Sequence, residues 1–300
     1  MKIAYKHLYE CIDSKPTLEN ISESLFQLGH EHEIEDEIFD IEFTPNRGDC
    51  LSINGILRDL SAFYKINFDR DKYVDSIDEL SLNFTNKAQT ECPHIAFLKI
   101  EIDKEPDSYK GKLNNYFKDL KLNKNNFFTD ISNYLAYEMG QPTHCYDFNK
   151  ISGEITLEES IVGTQFTTLQ NKIIDLEGSD LIFTNQNQVI NLAGIMGGLN
   201  TSCSKKTNNV MIECAFFRPD SIIGKALKYN LHSDASHKFE RGVDLKSQED
   251  VIRRFIHIVS EHVNITKIQL YKNTSKKFNE IELDFDLKGI SKILGIEVPK

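Results

Sequence analysis

Glu213 stands in an otherwise apolar run, with Val210-Met211-Ile212 before it and Cys214-Ala215-Phe216-Phe217 after it. A carboxylate buried there without a partner is costly. Either alternation turns it to solvent, or it lines a pocket and awaits a donor. His144 follows a Gly140-Gln141-Pro142 break. On such a loop or strand edge an imidazole can position a water or a hydroxyl; a hydrogen-bonded structural histidine is the competing reading. Gly194, Gly197 and Gly198 follow an apolar run. Glycines permit positive φ and let a backbone approach a ligand closely. Their GxxGG spacing fits neither the dinucleotide fingerprint nor the P-loop, and on spacing alone a tight turn accounts for it better than a ligand loop does. His144, Glu213 and His232 lack metal-ligand spacing such as HExxH, so they define no metal set. Ser233 and Ser236 lie beside His232 and His237, but no GxSxG elbow accompanies them. Thr44 to Asp49 holds a Pro and a Gly and reads as a turn.

The elements that must position these residues are legible in outline. Leu18, Ile21, Leu25 and Leu28 recur at helical spacing, with Thr17 placed to cap. Phe39, Ile41 and Phe43 alternate as a strand. Asp49 can cap the next helix, whose apolar face runs Ile53, Ile56, Leu57, Leu60, Phe63 and Tyr64. Asp69 to Lys87 is charged and weakly periodic, a linker. Ala96 to Ile102 reads as a strand, Leu113 to Leu120 as a helix, and Ile131 to Met139 as a helix stopped by Gly140 and Pro142. From Glu154 to Phe217 short alternating runs predict β-structure. A helix carrying Ile222, Ile223 and Leu227 follows, then one over Ser247 to His262. Ile281, Leu283 and Phe285 predict a last strand, and Ile290, Ile293 and Leu294 a last helix. The larger unit is therefore α+β, without βαβ alternation.

Composition narrows the class. The chain has 300 residues, 40% hydrophobic and 27% charged, with a formal charge of −11. That suits a folded soluble chain of about two domains. No stretch approaches the roughly 20 apolar residues of a membrane span, and no secretory h-region follows the first residues. The net negative charge argues against general phosphate binding. Six scattered cysteines without a CxxC pair read as reduced thiols of a cytoplasmic protein.

Four segments occur in one order: IEFTPNRGDCLSINGILRDLSAF with its TPNR-x-DCLS core; DISNYLAYEMGQPTHCYDFNKI, which looks like D-x-TNY…E-x-GQP-x-H-x-FD; LAGIMGG; and IECAFFRPDSI…LHSDASHKFERGVD. Together they resemble the β chains of bacterial phenylalanyl-tRNA synthetase over nearly the whole chain. The resemblance implies a B1-like module over residues 1–75, a linker over 76–90, a B3/B4 editing domain over 91–265 with a mostly antiparallel sheet flanked by helices, and the start of a B5-like domain over 275–300. The family's OB-fold insertion in B1 is missing, and the sequence stops before the magnesium-linked carboxylates and later modules, as a truncated chain would.

The same resemblance implies an activity: hydrolysis of tyrosine mischarged onto the phenylalanine tRNA. Glu213 would accept the tyrosine hydroxyl, and His144 would lie near the ester and terminal adenosine. Ser132, Asn133, Gly197, Ser233 and Ala235 would contact the substrate, Ser132 and Ser233 in place of threonines. Water would be the nucleophile, with no protein general base and no metal in this portion. ATP and Mg2+ would serve the synthetic site on an α chain, within an (αβ)2 heterotetramer in the cytoplasm, without membrane or DNA partners. A tRNA-binding scaffold whose pocket has decayed is the competing expectation.

Overall fold

The protein is described by a computed structural model over residues 1–68, 71–275, 282–284 and 286–299. It is a mixed α+β structure whose strands are mostly antiparallel. Two five-stranded sheets matter for the site. The first runs in the order Asp78–Glu79, Ile265–Thr274, His94–Ile102, Asn209–Phe216 and His144–Asp147. The second runs Met196–Gly197, Gln188–Leu192, Leu181–Asn185, Ile155–Glu159 and Phe84–Asn86. Only Ile265–Thr274 with Asp78–Glu79, and Phe84–Asn86 with Ile155–Glu159, pair in parallel among the described strands.

The central strands of the first sheet, His94–Ile102 and Asn209–Phe216, are buried on both faces, and period-2 alternation divides their side chains between two cores. Ala96, Leu98, Ile100, Val210, Ile212 and Cys214 pack with the helices Phe127–Met139 and Gln248–His262. Ile95, Phe97, Met211, Ala215 and Phe217 pack with the second sheet through Leu157, Phe183 and Leu192. A residue of Asn209–Phe216 that points away from the helices therefore meets a second sheet instead of water.

The N-terminal part adds a three-stranded sheet, Lys2–Ala4, Ile38–Glu42 and Glu31–Glu35, whose core is continuous with the helical side of the first sheet. Thr17 caps Leu18–Gln27 in a reciprocal capping box with Asn20. Asp49 does not cap the following helix. A 3-10 turn over Gly48–Cys50 intervenes, and Ser52 caps Ile53–Leu60 by accepting from the Gly55 N–H at 3.0 Å. Asp49 instead accepts from Arg47 and Arg58. Within the same turn, a Cβ on Gly48 would lie 2.6 Å from the Arg241 carbonyl oxygen. The TPNRGDC segment thus docks on the far end of the chain's fourth segment.

One further expectation is corrected. Ile222, Ile223 and Leu227 do not share one helix: Gly224, at φ +78°, separates Pro219–Ile222 from Lys225–Lys228, and Ile223 and Leu227 are exposed. The linker region contributes the paired strands Asp78–Glu79 and Phe84–Asn86. Of the last predicted strand, Ile281 and Phe285 lie outside the described residues. Leu287–Leu294 is helical, capped by Asp286, and buries none of its own residues. Among the described residues no helix is long and apolar enough to cross a membrane.

Candidate active site

The strand Asn209–Phe216 carries Glu213 on its sheet-facing side. There it pairs in register with Phe97 on one neighbour and with His144 on the other. Glu213 is 4% exposed. The Tyr146 hydroxyl donates to its Oε2 at 2.6 Å, and Asn191 Nδ2 donates to the same oxygen at 3.1 Å and to the Tyr146 oxygen at 3.0 Å. Burial pushes the Glu213 carboxyl up to about 7 against the pull of these two donors. The carboxyl is therefore not the partnerless group that the sequence pattern suggests.

His144 begins the edge strand His144–Asp147. Its ring lies edge-on over Tyr146, with centroids 4.5 Å apart. Burial pushes the imidazole down to about 4, so it is neutral at physiological pH. Its Nε2 is inaccessible and has no hydrogen-bond partner in the protein. A buried ring nitrogen without a partner is rare in a folded protein, and a small shift of the ring would offer it to a water or a substrate hydroxyl. At about 4 it is a weak base, suited to orienting a nucleophile rather than deprotonating it.

The strap Gly140-Gln141-Pro142 fixes that edge. Gly140 ends the helix at φ +79°, as a left-handed cap requires. Gln141 is buried; its Nε2 donates to the Ala215 carbonyl at 2.9 Å, and its Oε1 accepts from Ser247 at 3.1 Å. The GxxGG segment lies opposite. Gly194 turns at φ +70° between Gln188–Leu192 and Met196–Gly197. An added Cβ on Gly197 would fall 2.1 Å from His144 Cε1. Tight turn and site wall are both present, on different glycines.

One small cavity, of about 50 Å³, is bounded by Thr143, His144, Asn191, Met196, Gly197, Glu213 and, from the helix Asp234–Arg241, Ala235 and Phe239. Of the residues expected from the sequence, His144, Gly197, Glu213 and Ala235 converge on it. Ser132 and Ser233 stand one layer behind. The Ser132 hydroxyl bonds the Thr143 carbonyl and hydroxyl, both at 2.7 Å. Ser233 caps the Asp234–Arg241 helix and donates to the Ile195 carbonyl at 2.8 Å, joining that helix to the glycine hairpin. Asn133 is exposed and does not line the cavity.

Tyr146 and Asn191 were not singled out in the sequence. Tyr146 was findable, because two residues on from His144 it must share that face of the strand. Asn191, between Ile190 and Leu192, carries the same signal as Glu213: one polar residue in an apolar strand. His232 lines a separate groove, so the metal trio does not assemble. Among the described residues the one ligand-type cluster is His30, Cys50 and Asp59. There the Arg47 guanidinium already bonds Asp59 at 2.5 Å and Cys50 Sγ at 2.6 Å.

A mixed α+β domain with a cavity between two sheets is the class that this geometry defines, and the chain belongs to the B3/4 domain family, which matches residues 92–264. It is similar to the protein named phenylalanine–tRNA ligase beta subunit of Francisella tularensis, at 30% identity over 270 residues, covering 87% of this chain and 34% of that protein. The same-named protein of Psychrobacter arcticus is 30% identical over 272 residues, covering 88% and 34%. That of Legionella pneumophila is 29% identical over 280 residues, covering 89% and 34%. The chain thus spans about a third of the length of the curated relatives it matches. Among solved structures it is similar to an N-terminal fragment of the phenylalanyl-tRNA synthetase β-subunit from Pyrococcus horikoshii, with a TM-score of 0.45 and 12% identity, covering 100% of this chain and 85% of that one.

Proposed function

We propose that this chain is the part of a phenylalanine–tRNA ligase β subunit that hydrolyses tyrosine mischarged onto the phenylalanine tRNA. The observation that supports it most is the meeting of Glu213, His144 and Gly197 in one cavity. An apolar synthetic pocket cannot strongly reject an amino acid that differs by one hydroxyl. A second site that bonds that hydroxyl can select for it, since the analogue lacking it leaves a buried polar atom unsatisfied.

In this reading the tyrosine ring enters beside His144, whose imidazole takes the room left by the missing Cβ of Gly197, and its hydroxyl donates to Glu213. His144 Nε2 holds a water near the ester carbonyl. The water oxygen bonds to that carbon and the bond to the ribose oxygen breaks. A proton of the water passes to the departing ribose oxygen, which becomes a hydroxyl, and free tyrosine leaves. ATP and Mg2+ would serve synthesis on an α chain assembled with this subunit, and the proposed step uses neither.

The test is tyrosine release from tyrosyl-tRNA of the phenylalanine-accepting type, with the phenylalanyl ester as control. Faster release of tyrosine supports the reading. A folded chain that leaves both esters intact overturns it and favours a scaffold.

A further inference from the structure

Glu213, Tyr146 and Asn191 form a closed hydrogen-bonded triangle beneath the cavity. Tyr146 is fully buried and Asn191 is 3% exposed. Every hydrogen bond to Glu213 found among the described residues ends on Oε2, and Oε1 receives none of them. The two donors come from different sheets: Tyr146 from the edge strand His144–Asp147, Asn191 from Gln188–Leu192. A carboxylate gripped on one oxygen by two rigid elements has little rotational freedom, and its second oxygen points one way.

We infer that Tyr146 and Asn191 are positioning residues that hold Glu213 by Oε2 and so make Oε1 the acceptor that selects a substrate hydroxyl. The inference rests on the proposed tyrosine-ester reading. It adds that selectivity depends on a phenol built into the protein itself. The internal phenol also favours the charged carboxylate, which accepts stronger hydrogen bonds than a neutral acid does. Losing it would both loosen the group and keep it protonated to higher pH.

The groups around Glu213 leave its titration readable. His144, across the pairing, titrates at about 4. Burial raises the thiols of Cys92, Cys145 and Cys214 above their ordinary range, and the Tyr146 phenol likewise. Burial is also the first cause at Glu213 itself. A proton change near neutrality in this cluster therefore belongs to Glu213.

The experiment compares the whole chain with Tyr146→Phe and Asn191→Leu. Carbon-13 NMR of glutamate side-chain carboxyls follows the Glu213 titration, assigned by its disappearance in Glu213→Gln. Release of tyrosine and phenylalanine from their tRNA esters is measured from pH 5.5 to 9. The expected result for Tyr146→Phe is a Glu213 midpoint raised by half a pH unit or more, and a tyrosine-over-phenylalanine ratio at pH 7 reduced at least 3-fold. Asn191→Leu should move both in the same direction. An unmoved midpoint with an unchanged ratio overturns the inference. So does a ratio that rises in Tyr146→Phe, since the internal hydroxyl would then compete with the substrate's. If the wild-type chain shows no preference for tyrosine while the midpoint still moves, the clamp on Glu213 is real. The tyrosine-ester reading, and with it the selecting role of Oε1, is then what fails.

Discussion

Replacing Gly197 by alanine adds one methyl group, and its consequence follows from a single distance. The new Cβ would lie 2.1 Å from His144 Cε1, 2.7 Å from Nε2 and 3.0 Å from Nδ1. Carbon atoms rest about 3.5–4.0 Å apart, so the ring must retreat by roughly 1.5 Å. It cannot move down, because Tyr146 is packed edge-on beneath it and is fully buried. The free direction is into the cavity that the substrate ring would fill. Gly197 itself has no left-handed φ, so the cost is steric, about 1–3 kcal/mol for one overpacked methyl. The chain should therefore still fold. Misplacing a positioned group by about 1 Å lowers rates roughly 100-fold, and a filled cavity lowers them further. Single-turnover release of tyrosine from its tRNA ester, read beside a urea unfolding curve, measures both effects. A Gly197→Ala chain that folds and retains activity within about 3-fold of wild type would refute the placement of the substrate against this glycine and histidine.

Glu213→Gln keeps the shape and removes the charge. Hydrogen bonds to charged groups contribute about 1.5–3 kcal/mol, so the tyrosine-over-phenylalanine ratio should fall by roughly 10- to 100-fold; an unchanged ratio places selection elsewhere. The same carboxyl sets a pH dependence of stability. Its pKa is raised from 4.5 to about 7 in the folded chain. The stability it confers is thus full below about 4.5 and is lost as pH rises through about 7. That loss is roughly 3 kcal/mol. Urea unfolding at pH 5 and pH 8.5 should show wild type losing more stability over that interval than Glu213→Gln, and parallel curves would contradict a buried carboxyl. His144 acts in the opposite sense: lowered from 6.5 to about 4, it stabilises above 6.5 and its contribution is lost as pH falls towards 4. Arg254 and Glu138 form a buried ion pair at 3.0 and 3.3 Å between the two helices behind the first sheet. Arg254→Leu should cost about 3–5 kcal/mol by removing the charge opposite a buried acid, and a thermal shift of under 2 °C would show the pair to be dispensable.

How much of this was legible from residues alone depends on the range of the physics involved. The Thr17 cap, the Gly140 stop and the alternation of Ala96 to Ile102 are local, and each element formed where its pattern placed it. The Asp49 cap failed because Ser52, three residues on, competes for the same helix end after an intervening 3-10 turn. The helix over Ile222 to Leu227 failed at Gly224, which takes a left-handed φ that an apolar tally does not register. At Glu213 the alternation was correct: odd and even residues of that strand do face opposite ways. Whether the opposite side is water is decided by residues 155 to 192, far away in the chain, and no local pattern contains that. The convergence of His144, Gly197 and Ala235 was carried by resemblance alone, since three loops must close before those residues meet.

The Tyr146 bond changes what kind of discriminator this site can be. A buried carboxylate with no donor at all would carry the full penalty of an unsatisfied charge whenever phenylalanine occupied the cavity. With two donors already on Oε2, phenylalanine leaves only the second oxygen unsatisfied, and the penalty is correspondingly smaller. Near pH 7 a further relief exists, because a Glu213 that titrates at about 7 can take up a proton when no phenol is offered. Discrimination by this cavity must therefore weaken on acidification and strengthen above neutrality, where the proton is no longer available to stand in for the substrate's. A site that recognised the hydroxyl through a group that does not titrate there, such as a backbone carbonyl, would instead discriminate by the same factor across that range, so the slope of the tyrosine-to-phenylalanine ratio between pH 6 and 8.5 separates the two designs. A flat ratio with intact folding would mean that the hydroxyl is recognised by some group other than Glu213.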